Sequence, residues 1–211
     1  MKYDPTSYSA LYPIIDLEII DRSLEILLAK LSEARISLVQ LRGKKSSSKD
    51  LLKLSTQMVN LTRDHSLKVI VNDRVDIAWL SKADGVHLGQ DDLPCSDARQ
   101  ILGSKATIGL STHNLKQACQ AEDSTADYIA IGPIYRTQTK ENPDPIVSLD
   151  ELETIRKAVT KPLIAIGGIT TKNALPLFNL GVDSVAVVRD IVLAENVHQQ
   201  VTHYSKLRDG I

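Results

Sequence analysis

The stretch LKVIVNDRVDIAWLSKADGVHLGQDD, residues 67–92, decides the fold. Its two apolar runs, Lys68–Val71 and Gly85–Leu88, are apolar on both alternating positions, as strands covered on both faces should be. Polar residues follow each at once: Asn72-Asp73-Arg74 after the first, Gly89-Gln90-Asp91-Asp92 after the second. A longer segment separates the runs, so the stretch reads as strand, polar turn, helix, strand, polar turn. Working outward, the same alternation recurs upstream at Leu11–Ile15 and Leu38–Leu41. Downstream it recurs at Thr107–Leu110, Tyr128–Ile131, Leu163–Ile166 and Ser184–Val188. Helical spacing lies between runs: Leu24, Leu27, Leu28 and Leu31 share a face, as do Leu51, Leu54, Met58 and Leu61. Leu152, Ile155 and Val159 repeat it, and Val197, Val201 and Tyr204 suit a closing helix. Eight alternations predict an α/β fold, a closed (β/α)8 TIM barrel forming a single domain over 1–211. An open doubly wound sheet is the alternative, because periodicity does not see closure. No linker or sequence-level repeat interrupts the pattern. Residues 1–9 are expected to be a loose N-terminal extension. The irregular stretch Pro133–Ser148, after the sixth run, is placed where a barrel keeps an active-site loop.

The chain has 211 residues, near the lower end for such a barrel. Its 25 basic and 26 acidic residues leave a formal net charge of −1, which gives no general attraction to nucleic acid or acidic membranes. An anion site must therefore be built locally. Cys95 and Cys119 make no disulfide framework, which suits a reducing compartment. The first nine residues lack the order of a signal peptide, and no apolar run approaches the roughly 20 residues that span a bilayer. A soluble, cytoplasmic protein acting on small molecules is expected, with self-association left open.

In a barrel the residues after each strand gather at one mouth. Asp73 and Asp92 follow adjacent strands, and two hard carboxylates suit Mg²⁺, which keeps several waters and bridges to phosphates. The plainer reading is that each caps the next helix. Gln40, Arg42 and Lys44 alternate along a strand end, so their side chains are expected to point the same way, with Lys140 reaching in from the opposite wall. Cations around Mg²⁺ are what a diphosphate leaving group needs; a solvated basic strand end is the alternative. Thr137, Thr139 and Lys140 can hydrogen-bond phosphate as their loop closes, or simply be hydrophilic. Gly167-Gly168, followed by Thr170-Thr171, reads as a strand passing tightly into a helix N-terminus open to an anion, against a plain tight turn. Ser111, outside any nucleophile elbow, reads as a hydrogen-bond donor to substrate. His87, inside an apolar run, reads as a satisfied core histidine, and the remaining histidines show no metal spacing. Both cysteines read as inert helix residues.

Six stretches carry a resemblance to a known family: VQLRGK at 39–44, VNDRVDIA at 71–78, ADGVHLGQDDLP at 83–94, IGLSTH at 108–113, YIAIGPIYRTQTK at 128–140 and PLIAIGGIT at 162–170. In that order they resemble the thiamine phosphate synthases. The resemblance implies a transferase of thiamine biosynthesis: an aminopyrimidine methylene diphosphate loses pyrophosphate, and a thiazole phosphate nitrogen captures the carbon. It implies that Gln40, Arg42, Lys44, Asn72 and Lys140 bind the pyrimidine diphosphate, with Mg²⁺ on Asp73 and Asp92. It places Ser111 on the pyrimidine or pyrophosphate, and Thr137, Thr139 and Gly168 on the thiazole phosphate. No side-chain nucleophile is required. Two positions depart from the family pattern. Val188 is followed by Arg189, where a small serine is usual, and Asp144-Pro145-Ile146-Val147 lacks a common glycine. Arg189 can pair with the phosphate or crowd it. A thiazole tautomerase-like isomerase and a non-catalytic paralogue that binds thiamine precursors are the rival readings; the isomerase would need neither the carboxylates nor the T-x-T-K loop.

Overall fold

The structure, a computed structural model, describes residues 8–137 and 144–210. Strand and helix alternate from β1 (Leu11–Asp16) and α1 (Leu24–Glu33) through β2 (Leu38–Arg42), α2 (Ser48–Thr62), β3 (Lys68–Asn72) and α3 (Val75–Ser81). They continue with β4 (Gly85–Leu88), α4 (Cys95–Leu102), β5 (Thr107–Thr112), α5 (Leu115–Glu122), β6 (Tyr128–Ile131) and α6 (Leu149–Ala158). After β7 (Leu163–Ile166) come α7 (Leu175–Asn179), β8 (Ser184–Val187), the short α8 (Arg189–Val192) and the closing α9 (Val197–Asp209). All neighbouring strands pair in parallel, and β8 returns to β1 through Leu11↔Val185 and Pro13↔Val187, so the sheet closes into a barrel. The open-sheet alternative is thereby removed.

Local signals explain where helices begin. Ser23, Ser47, Asn114, Ser148 and Asn196 each accept an N–H from the first turn of α1, α2, α5, α6 and α9. Apolar residues divide into two shells. Tyr12, Ile14, Leu38, Ile70, Tyr128, Ile164 and Ala186 fill the barrel interior, and the larger cluster lies between strands and helices. Among the described residues no helix is long and apolar enough to cross a membrane.

A repeated device ties the base of the barrel. Asp84, Asp127 and Asp183 each stand immediately before an even-numbered strand. Each Oδ2 accepts an N–H from the first two residues of the preceding odd strand: Val69 at 2.8 Å, Ile108 at 2.7 Å and Leu163 at 2.8 Å. Ser37 plays the same part before β2, accepting from Ser9 N at 2.9 Å. Arg99 and Arg156 brace two of the aspartates at 2.6 and 3.0 Å. This recurrence is structural, one polar residue wide, and too sparse to register as sequence self-similarity.

Other expectations also shift. Asn72, Ser111 and Thr112, read as following their apolar runs, lie inside their strands, as do Asp16 and Arg42, because the parallel ladder continues under polar side chains. Helix α2 buries Leu51, Ser55, Met58 and Thr62, while Leu61 is exposed. Thr62 fits inside by donating its hydroxyl to Met58 O, so the buried stripe is rotated from the leucine face. Cys95 is buried in α4 and Cys119 exposed in α5, both with free thiols.

Candidate active site

The rim after β3 and β4 holds an acid–base cluster. Lys44 Nζ lies 3.1 Å from Asp73 Oδ2. Asp92 Oδ2 accepts the Gly89 N–H of its own loop at 2.7 Å, and the carboxylate stands within hydrogen-bonding reach of Asp73. Burial first, and then the neighbouring Asp73 carboxylate, push Asp92 above the ordinary carboxylate range; Gly89 N–H and the Lys44 charge oppose the shift. Neither aspartate is a helix cap, since Arg74 and Pro94 occupy those positions at α3 and α4. Asp73 instead adopts φ 63°, a left-handed conformation that costs most residues about 1 kcal/mol or more and that Asp tolerates better than bulky residues. Among the described residues no third acidic, histidine or cysteine side chain joins the pair. Two mutually repelling carboxylates with no further protein ligand fit an ion that takes its remaining oxygens from water and phosphate, as Mg²⁺ does.

Lys44 is not on the strand. Strand β2 ends at Arg42, and Gly43 turns the chain, its carbonyl accepting from Ser46 N at 3.3 Å. The expected alternation thus stops one residue pair early, and the trio divides. Arg42 pairs with the buried Asp16 of β1, a partner its position in the sequence did not reveal. This holds the guanidinium at the rim while leaving its other donors for an anion. Gln40, one layer lower, donates to Tyr12 OH at 3.0 Å. Tyr12 and Tyr128 hydroxyls are 3.0 Å apart, Tyr128 OH is 2.9 Å from His87 Nδ1, and His87 Nε2 is 2.9 Å from Ser111 Oγ. Burial raises both phenols far above their ordinary range, so they keep their protons. Gly109 makes this possible: a Cβ there would sit 2.0 Å from the Tyr128 ring. Asn72 ends β3 level with His87, placing it between the rim carboxylates and the interior chain. His87 is satisfied, as expected, though its partners join two residues of the expected site.

On the opposite wall the loop after β6 crosses the diglycine turn. Ile134 N and Tyr135 N donate to Ile166 O and Gly167 O at 2.9 and 3.0 Å. Gly167 and Gly168 have φ 103° and 62°, and a Cβ on Gly168 would lie 2.3 Å from Arg136 O. The glycines therefore admit the loop as closely as they would any ligand. The expected helix N-terminus at Thr170 is a turn instead, and α7 starts only at Leu175. Asn173 explains it, accepting Thr170 N at 2.7 Å while donating to Gly168 O at 3.1 Å. Thr137 is half-buried beyond this loop; Thr139 and Lys140 lie outside the described residues. Val188 caps α8, and Arg189 is exposed at its first position. Asp190 anchors the strand-eight end, accepting from Thr171 N at 3.3 Å and from Gln200 and Tyr204 at 2.6 Å each. His113 Nδ1 meets Gly132 O at 2.6 Å, and its Nε2 lies 3.5 Å from Asp144, so it ties the two ends of the β6 loop.

A family described as thiamine monophosphate synthase matches residues 11–191. A thiamine-phosphate synthase of Koribacter versatilis is 42% identical over 75% of this chain and 74% of its own. One of Clostridium acetobutylicum is 37% identical over 89% of each. The solved structure of a thiamine phosphate pyrophosphorylase from Pyrococcus furiosus superposes with a TM-score of 0.84 at 28% identity, covering 97% of this chain and 98% of that one. With most of the barrel matched by sequence and nearly all of it by shape, the chain belongs to the thiamine monophosphate synthase family of transferases.

Proposed function

We propose that this chain joins an aminopyrimidine methylene diphosphate to a thiazole phosphate, releasing pyrophosphate and thiamine phosphate. The observation that carries the reading is the rim cluster, in which Asp73, Asp92 and Lys44 meet beside the Asp16-anchored Arg42. Arg42 and Lys44, with Lys140 from the β6 loop, donate to diphosphate oxygens where negative charge grows as the C–O bond breaks. Gln40 and Asn72 orient the pyrimidine, and Ser111 donates to it or to the departing pyrophosphate. Asp73 and Asp92 would hold Mg²⁺, which would supply charge neutralisation of the leaving group. The pyrimidine's amino group stabilises the methylene cation, so the protein supplies position and charge and no nucleophile. Thr137, Thr139, Gly168, Val188 and Arg189 flank the thiazole phosphate; the exposure of Arg189 supports its pairing with the phosphate over crowding it. The cytoplasm is the proposed compartment, in keeping with two free thiols.

With both substrates supplied, pyrophosphate release and thiamine phosphate formation are expected to require Mg²⁺ and to stop on chelation. Absence of thiamine phosphate at saturating Mg²⁺ would refute the assignment. Isomerisation of a thiazole carboxylate without Mg²⁺ would favour the tautomerase reading instead.

A further inference from the structure

The interior chain from Gln40 to Ser111 crosses the barrel from β2 to β5 through three buried side chains, Tyr12, Tyr128 and His87. Proton accounting gives it a direction. Gln40 turns its amide nitrogen to Tyr12, so the Tyr12 oxygen is an acceptor and its hydrogen must go to Tyr128. The Tyr128 hydrogen then goes to His87 Nδ1, which leaves His87 carrying its proton on Nε2. That N–H is donated to Ser111 Oγ. Ser111 thus has a lone pair occupied and its own hydrogen directed elsewhere. In the opposite direction, with the proton on His87 Nδ1, one of the two buried phenol hydrogens has no acceptor within the chain, a costly arrangement at sites of 0–2% exposure.

We propose that Tyr12, Tyr128 and His87 are positioning residues that hold Ser111 as a hydrogen-bond donor toward the pyrimidine diphosphate and fix Gln40 in the matching orientation. The proposal rests on the reading of Ser111 and Gln40 as substrate contacts, but the direction of the relay does not. Stacking reinforces it: the His87 and Tyr128 rings lie 5.5 Å apart at 20°, and Tyr12 meets Tyr128 edge-on at 5.9 Å. Gly109 leaves the space in which Tyr128 can take this place.

Two measurements test it. In nitrogen-15 NMR of histidine-labelled protein, the His87 resonances, assigned by their loss in His87→Gln, should show a pyrrole-type Nε2 and a pyridine-type Nδ1; the reverse tautomer overturns the proposal whatever the enzyme does. In steady-state kinetics, Tyr128→Phe keeps the ring and should lower kcat about tenfold while moving the KM for the pyrimidine diphosphate less than about threefold. That loss should disappear in a Ser111→Ala background, because the relay acts through the serine. Losses that multiply in the double variant show a general packing effect and overturn the proposal. His87→Gln, whose amide nitrogen can replace Nε2, should retain activity that His87→Leu loses; equal losses count against it. If neither wild type nor variant makes thiamine phosphate, the functional reading fails, and the tautomer still decides the relay.

Discussion

At the residue scale, Asp92 shows how the site trades stability for charge. Its folded pKa lies above the unfolded value, chiefly through burial, so its contribution to stability is complete only below the unfolded pKa, at about pH 4. That contribution is lost as pH rises through the folded pKa, and the ionised carboxylate is a net cost at neutral pH. Asp92→Asn keeps an acceptor for Gly89 N–H and removes the repulsion from Asp73. Urea unfolding without metal should show the variant equal or more stable, by less than about 1 kcal/mol because the group is partly solvated. Mg²⁺ should stabilise the wild type and not the variant, and pyrophosphate release should fall about 100-fold or more. A variant that unfolds earlier would show that Asp92 is structural. The candidate rim residues were legible in the sequence because short polar segments after apolar runs stand out. The pairing of Asp16 with Arg42 and the roles of Tyr12 and Tyr128 were not, because a buried partner carries no local mark.

At the element scale, the β6 loop and the diglycine turn after β7 are one unit. Alanine at Gly168 would need φ 62° and would drive its Cβ to 2.3 Å from Arg136 O. A strain of about 1–3 kcal/mol is relieved most easily by moving the loop, since the strand beneath is paired on both sides. Gly168→Ala is expected to raise the KM for the thiazole phosphate about tenfold while changing the KM for the pyrimidine diphosphate little. Steady-state titration of each substrate separates the two effects, and equal shifts would show that the loop serves both sites. The helix start expected at Thr170 failed at this scale too. Asn173 ties back to Gly168 and Thr170, a side-chain turn that outcompetes the first helical turn and delays α7 to Leu175.

For the whole molecule, function and stability occupy opposite ends of the barrel. The Asp84, Asp127 and Asp183 ties lie at the strand starts, far along the strands from the rim. Asp183→Ala strands the Leu163 N–H and removes the charge partner of Arg156, which keeps its bonds to Val159 O and Lys161 O, and should lower unfolding free energy by about 2 kcal/mol. Turnover measured well below the melting temperature should stay within about twofold. A large loss of kcat in a fully folded variant would show the two ends to be coupled.

The eight apolar runs, their order and the polar residues that end them are properties of the chain alone, because a strand covered on both faces must be apolar at every position. Closure of β8 on β1, the pairing of Arg42 with Asp16 and Lys44 with Asp73, and the interior chain from Gln40 to Ser111 belong to the tertiary structure. These side-chain partners stand 24 to 116 residues apart, and only the curvature of the closed sheet brings them within hydrogen-bonding distance.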